Sequence, residues 1–235
     1  MQMSDVAIIG GTGHQGYGLA LRWGLTGRSI TIGSRSVERA AEAATRIRAT
    51  LAAAGASEHT IDGLENPAAA AAAPVVVLAV PLEAQIATLK SIRDHFRPDS
   101  MLIDLTVPLA TALGGRASRI LGLPAGSAAE QAAEYVPAGV QVVSAFHFLS
   151  ADLLAEVGPT GAQSIDCDVV ACGGDARAQA AVRALAEAID GVRYFHAGPL
   201  VGSRLVEHTA ALLISMNIRY KQRNAGLRVT GLQPG

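Results

Sequence analysis

Short apolar runs alternate with longer amphipathic stretches along the chain. Val6-Ala7-Ile8-Ile9 is uninterrupted and apolar, the pattern of a strand covered on both faces. A glycine cluster follows, then an apolar-periodic stretch from Gln15 to Leu25 that stops near Gly27, as a helix does. Ser29 to Gly33 is short and β-branched, a second strand. Ser36 to Ala54 is rich in Ala and Arg behind a serine N-cap, a second helix. Thr60-Ile61 marks a short third strand. Asn66-Pro67 opens an alanine helix, with asparagine expected at the cap and proline in the first turn. Val75 to Val80 and Met101 to Leu105 predict strands on either side of a helix over Leu82 to Phe96.

Alternation of strand and helix over the first hundred or so residues calls for right-handed crossovers and a parallel sheet. Beyond it the pattern loosens. Gly114 to Gly139 is rich in Gly, Ala, Ser and Pro, with a helical piece near Ser127 to Tyr135. Strand-like runs return at Val140 to Val143, Asp168 to Ala171 and Val192 to Phe195, with a helix over Asp175 to Ile189. An amphipathic helix spans Leu200 to about Arg223. The expected architecture is α/β, a Rossmann-type doubly wound parallel sheet extended by additional strands and a C-terminal helix. Residues 1–151 form the nucleotide-binding domain; residues 152–235 form a smaller region, or a continuation of the same domain.

Composition narrows the class. Half of the 235 residues are hydrophobic and 17% are charged, enough apolar matter for a sizeable core. Lys+Arg 19 against Asp+Glu 20 leaves a net charge of −1, which gives no bulk attraction for nucleic acid or anionic lipid. The longest uncharged apolar run, Ala68 to Val80, contains Pro74 and is well short of the ~20 residues of a spanning helix. Met1 to Asp5 has no basic n-region, so no signal peptide is expected and the location is read as cytoplasmic. Cys167 and Cys172 are too few for a disulfide framework or a four-ligand zinc site.

The first strand runs into Gly10-Gly11-Thr12-Gly13-His14-Gln15-Gly16, which contains G-x-G-x-x-G at residues 11, 13 and 16. In a strand–turn–helix setting this is a dinucleotide fingerprint. Gly11 is expected to make the turn, Gly13 to let the backbone approach a pyrophosphate, and Gly16 to let helix and strand pack closely. His14, at the mouth of the loop, could donate to phosphate. A site for NAD places an acid after the second strand; this chain has Gly33-Ser34-Arg35-Ser36, with Arg39 one turn on. Guanidinium and hydroxyl groups pair with a 2′-phosphate, so the expected cofactor is NADP(H).

Acid/base machinery is harder to find. None of Tyr17, Tyr135, Tyr194 and Tyr220 is followed by Lys four residues on, and the only lysines are Lys90 and Lys221. Fewer than 90 residues follow Ala151, too few for the helical second domain of hydroxyacid dehydrogenases. The histidines show no metal-ligand spacing; His59 and His95 sit in polar turns. His147 differs, because it follows the apolar strand ending at Val143, where ligands collect in such sheets. Hydride acceptance by a conjugated ring needs no positioned acid, since the charge is delocalised and solvent can protonate it.

Three blocks carry a family resemblance: Gly10 to Ala20 with Ile32 to Arg35; Val142 to His147; and Asp190-Gly191 through Ala197 to Leu200 and on to Glu207. Together they resemble the NADPH-dependent reductases of coenzyme F420. The resemblance implies that Thr12, Gly13, His14 and Gln15 hold the pyrophosphate and that Ser34, Arg35 and Arg39 bind the 2′-phosphate. It implies that Val80, Ala84, Val107 and Ala151 line the nicotinamide end. The deazaflavin would stack on the nicotinamide beside His147, Phe148 and Leu149, with a homodimer contact at the C-terminal helix. Ala84, Asp104 to Pro108 and Phe148 to Ser150 depart from the family pattern. Arg116 and Arg119 are candidates for the coenzyme's acidic tail. Two alternatives stand beside this expectation: an NADPH-dependent reductase of a flavin or other conjugated substrate, and a non-catalytic NADP sensor.

Overall fold

The structure is a computed structural model that describes residues 5–56 and 60–233. His59 and residues 1–4 lie outside the described residues. The elements in chain order are β1 (Val6–Ile9), α1 (His14–Gly24), β2 (Ile30–Ser34), α2 (Val37–Ala53), β3 (Ile61–Glu65), α3 (Asn66–Ala72), β4 (Val75–Leu78), α4 (Leu82–Ile92) and β5 (Met101–Asp104). Then come α5 (Ala128–Ala133), β6 (Gln141–Ser144), α6 (Ala151–Ala155), β7 (Val157–Gly158), β8 (Gly161–Ala162), β9 (Asp168–Gly173), α7 (Ala176–Ala186), β10 (Arg193–His196) and α8 (Ser203–Tyr220).

Eight strands form one sheet in the order β10-β9-β6-β5-β4-β1-β2-β3. Read from β3, the first six follow the 3-2-1-4-5-6 order of a doubly wound dinucleotide fold. All neighbours are parallel except β6 and β9. That antiparallel joint is where the regular crossovers stop. Alternate residues of each central strand enter two cores: Ile8, Val77, Ile103 and Val143 face one, Ile9, Val76, Leu102 and Val142 the other. Burial on both faces explains why these strands are continuous in hydrophobicity.

Ser36 caps α2 through its side chain as expected, and Ser127 and Asp175 cap α5 and α7 in the same way. Asn66 does not: Glu65 holds the N-cap position of α3 and Asn66 is the first helical residue, with its side chain left out of the capping. Of the predicted strand Thr60-Ile61, Ile61 is the first residue of a five-residue strand. The β7–β8 hairpin and the short helix α6 carry no clear sequence signal; their backbone is organised by Arg22 instead. This side chain is 3% exposed and donates from Nε to Leu154 O (3.0 Å), from Nη1 to Gln163 O (2.6 Å), and from Nη2 to Leu153 O and Glu156 O. The tail after α8 is fixed by Asp168, which accepts from Arg193, Arg228 and the Val229 backbone.

Candidate functional site

Strand ends β1, β2 and β4 lie level, with Ile9 beside both Gly33 and Leu78. The chain leaves β1 at Gly10, which adopts φ +82° and sits so close to Ala79 that a Cβ would come 2.6 Å from its carbonyl oxygen. The tight turn expected at Gly11 is shared with Gly10: the positive φ falls on Gly10, and at Gly11 a Cβ would come 2.9 Å from Ile8 O. At Gly16 a Cβ would stand 2.8 Å from Gly11 Cα, the close helix–strand approach expected of that position. No side chain caps α1 at Gly13, and the backbone N–H groups of residues 14–16 have no backbone acceptor, so the helix start presents open donors.

A cavity of about 180 Å³ opens above this loop. Thr12, Gly13, Ser34, Arg35, Arg39, Val80 and Ala84 line it, all of them expected site residues. Arg35 and Arg39 are exposed, and neither guanidinium has a hydrogen-bond or ion-pair partner among the described residues. Ser36 Oγ accepts from the Arg39 backbone (3.3 Å), which starts α2 beside the cavity.

A second cavity, about 270 Å³, lies on the other side of the loop. Gln15, Val107, His147, Phe148, Leu149 and Ala151 line it. The four residues expected at one nicotinamide end are thus divided, Val80 and Ala84 on the first cavity and Val107 and Ala151 on the second. The two walls are neighbours: Thr106 Oγ1 lies 3.4 Å from the Val80 carbonyl. On the second cavity, Gln15 donates its amide to Leu149 O (3.3 Å) and reaches Phe146 O (3.5 Å). Gly11 and Gly16 are buried under the loop and line neither cavity. His14 is exposed and faces Asp152 at 3.9 Å.

His147 is aimed by its neighbour. Phe146 has φ +67°, a left-handed conformation rare for a bulky residue and costing of order 1–3 kcal/mol. Its ring is buried edge-on against Trp23 at 5.6 Å, and Trp23 Nε1 donates to Leu185 O (2.9 Å). Packing of Phe146 downward turns His147 to the cavity wall. Both imidazole nitrogens are buried and make no hydrogen bond among the described residues. Burial lowers the ring's pKa to about 4, against a weaker opposing effect of the Thr106 backbone. The ring is neutral at pH 7, so it can orient a polar ligand atom but carries no imidazolium proton to transfer.

The family described as NADP oxidoreductase, coenzyme F420-dependent, matches residues 5–108. Over 233 residues the chain is 46% identical to the F420-dependent NADP reductase of Methanothermobacter thermautotrophicus, spanning 99% of this chain and 97% of that one. The chain belongs to the F420-dependent NADP reductase family. The reductase of Methanocaldococcus jannaschii is 40% identical over 228 residues, 97% of this chain and 99% of that one. Among solved structures, a candidate F420-dependent NADP reductase of Arthrobacter sp. FB24 superposes with TM-score 0.77 at 21% identity, over 97% of this chain and 99% of that one. An Aspergillus terreus imine reductase superposes with TM-score 0.58 at 15% identity, over 94% and 64%. At these identities the structural likeness is one of fold.

Several lining residues were not among those expected at the site. Asn66 and Thr88 line the first cavity; Ala210, Leu213, Ile214 and Asn217 line the second from α8, with Arg223 and Ala225 beyond it. The α8 set follows i, i+3, i+4, i+7 spacing, a signal that marks one face of a helix but not what it faces. Arg116 and Arg119 line neither cavity; the cation on the second is Arg223. Behind the strand ends, buried Asp104 accepts from Thr106 Oγ1 (2.7 Å) and Gln85 Nε2 (3.0 Å). Gln85 also donates to Ala128 O, and Glu207 of α8 accepts from Ala128 N and Ala129 N. This polar chain ties α8 to the end of β5.

Proposed function

We propose that this chain catalyses hydride transfer between NADP(H) and coenzyme F420, with the dinucleotide along the first cavity and the deazaflavin ring in the second. The observation that carries the reading is the pairing of the two cavities across one glycine loop. One has open helix-start donors and two unpartnered guanidiniums, which suit a doubly anionic ribose phosphate. The other sets Val107, Phe148, Leu149 and Leu213 beside a neutral imidazole and polar side chains that include Gln15, Asn217 and Arg223, which suits a planar conjugated ring with polar edges. Family membership supports both assignments. Among the described residues no group of His, Cys, Asp or Glu could hold a metal ion.

In this reading the N–H groups at residues 14–16 bind the pyrophosphate and Ser34, Arg35 and Arg39 take the 2′-phosphate. Val80 and Val107 support the nicotinamide on either side of the junction. Phe148 and Leu149 hold the second ring against it, and His147 offers a hydrogen bond to a ring carbonyl or N–H. Bound side by side, the two coenzymes exchange a hydride between nicotinamide C4 and deazaflavin C5, and solvent supplies or takes the accompanying proton. The protein's contribution is proximity and exclusion of water, which can supply several orders of magnitude in rate. Residues 1–151 form the dinucleotide-binding part, and residues 152–235 add the second wall.

We also infer a homodimer. The outward face of α8 exposes Leu205 (75%), Leu212 (58%) and Met216 (43%), with Ile218 and Tyr220 at its end. A second copy of the same face would cover it with an isologous contact. No described helix is long and apolar enough to cross a membrane. With small coenzymes as its partners and both cysteines free and buried, we assign the protein to the cytoplasm.

The test is to mix protein, NADPH and oxidised coenzyme F420 and follow the deazaflavin's visible absorbance. Bleaching is expected. Turnover with a flavin but not the deazaflavin would favour a flavin reductase, and tight NADPH binding with neither would favour a sensor.

A further inference from the structure

Asn66 follows β3 at the start of α3 and is 5% exposed, yet it does none of the usual work of a helix-start asparagine. It makes no cap, and its Oδ1 is buried without a partner among the described residues. That oxygen lies over Gly33, where a Cβ would come within 3.1 Å of it and within 3.2 Å of Ala69 Cβ. Only a residue without a side chain at position 33 lets the amide settle against β2. Asn66 also lines the first cavity, beside Ser34, Arg35 and Arg39. With the oxygen packed inward, the amide nitrogen is the polar atom free to serve that cavity, and no acceptor among the described residues is paired with it.

We propose that Asn66 is a specificity-determining residue for the dinucleotide, its amide N–H donating to the 2′-phosphate that distinguishes NADP(H) from NAD(H). The inference rests on the assignment of the Ser34–Arg35–Arg39 end of the cavity to that phosphate. Its physical basis is that a buried amide held rigidly on both sides, by Gly33 below and α3 behind, loses little freedom on binding an anion. A donor to a charged acceptor is among the stronger hydrogen bonds a neutral side chain can make. Two flexible arginines supply charge; Asn66 supplies a fixed direction. The amide is also isosteric with a carboxylate but lacks the charge that would repel a phosphate.

Calorimetric binding of NADPH and NADH to Asn66→Ala, Asn66→Asp and Arg35→Ala tests this, with thermal unfolding of each free variant as a check on the fold. Asn66→Ala should weaken NADPH about tenfold and NADH less than threefold. Asn66→Asp keeps the side chain's shape, so it remains informative if the alanine variant loosens α3; it should weaken NADPH by about a hundredfold and leave NADH little changed. Equal losses for both dinucleotides in the Asn66 variants, alongside a selective loss in Arg35→Ala, would overturn the role of Asn66 and leave the phosphate assignment standing. An unselective Arg35→Ala would overturn the phosphate assignment, and the inference with it.

Discussion

His147 and Asp104 are both buried titratable groups at strand ends, but they do different work. A neutral His147 positions the second ring, so His147→Ala should lower kcat by roughly tenfold, the scale of one lost hydrogen bond, with a pH–rate profile unchanged between pH 6 and 8. A collapse by several orders of magnitude in steady-state assays would mean that the imidazole moves a proton. Asp104 acts on stability. Burial raises its pKa to about 7, with the Thr106 and Gln85 hydrogen bonds opposing, and burial raises Glu207 to about 8, against its two backbone donors. A carboxyl that holds its proton more tightly when folded contributes stability that is complete below about pH 4 and is lost as pH rises through the folded value. Stability to urea should therefore fall between pH 4 and 8. Asp104→Asn should make the fall below pH 7 shallower, and what remains up to about pH 8 is owed to Glu207.

At the scale of elements, α1 does two things at once. Its start offers donors to the dinucleotide, and its last turn holds α6 and the β7–β8 hairpin through Arg22. Arg22→Met leaves four carbonyls without their donor and should cost on the order of 2–4 kcal/mol in chemical denaturation. It should also raise KM for coenzyme F420 more than for NADPH, because Ala151 and Asp152 of α6 line the second cavity only. Legibility in the sequence followed the same division. Strands β1, β2, β4, β5 and β6 were readable because burial writes short apolar runs, whereas the half-exposed edge strand β3 showed only at its first residue; the first cavity was readable because phosphate binding at a strand–turn–helix needs glycines at fixed offsets. The hairpin and α6 were not, since one long-range arginine organises them and no local periodicity records it. Asn66 was misread for a related reason. An Asn-Pro pair is a cap signal in isolation, and only the close approach of Gly33, more than thirty residues away, redirects the side chain.

Across the whole molecule, the antiparallel joint between β6 and β9 swings the C-terminal third round so that α8 closes the second cavity with one face. The other face exposes Leu205, Leu212 and Met216. In the homodimer proposed here, Leu212→Glu with Met216→Glu should give a monomer by light scattering. Because Leu213, Ile214 and Asn217 line the second cavity on the same helix, the loss of the dimer should weaken binding of coenzyme F420 more than of NADPH. The polar chain from Glu207 through Ala128, Gln85 and Asp104 to Thr106 gives that coupling a route to the nicotinamide end. The central claim is direct hydride passage between two coenzymes bound in adjoining cavities, and an isotope decides it. NADPH carrying deuterium at the transferred C4 position should yield reduced coenzyme F420 with deuterium at C5 when the reaction is run in ordinary water and read by mass spectrometry. Reduced deazaflavin without the label, or with hydrogen drawn from solvent at C5, would contradict the account.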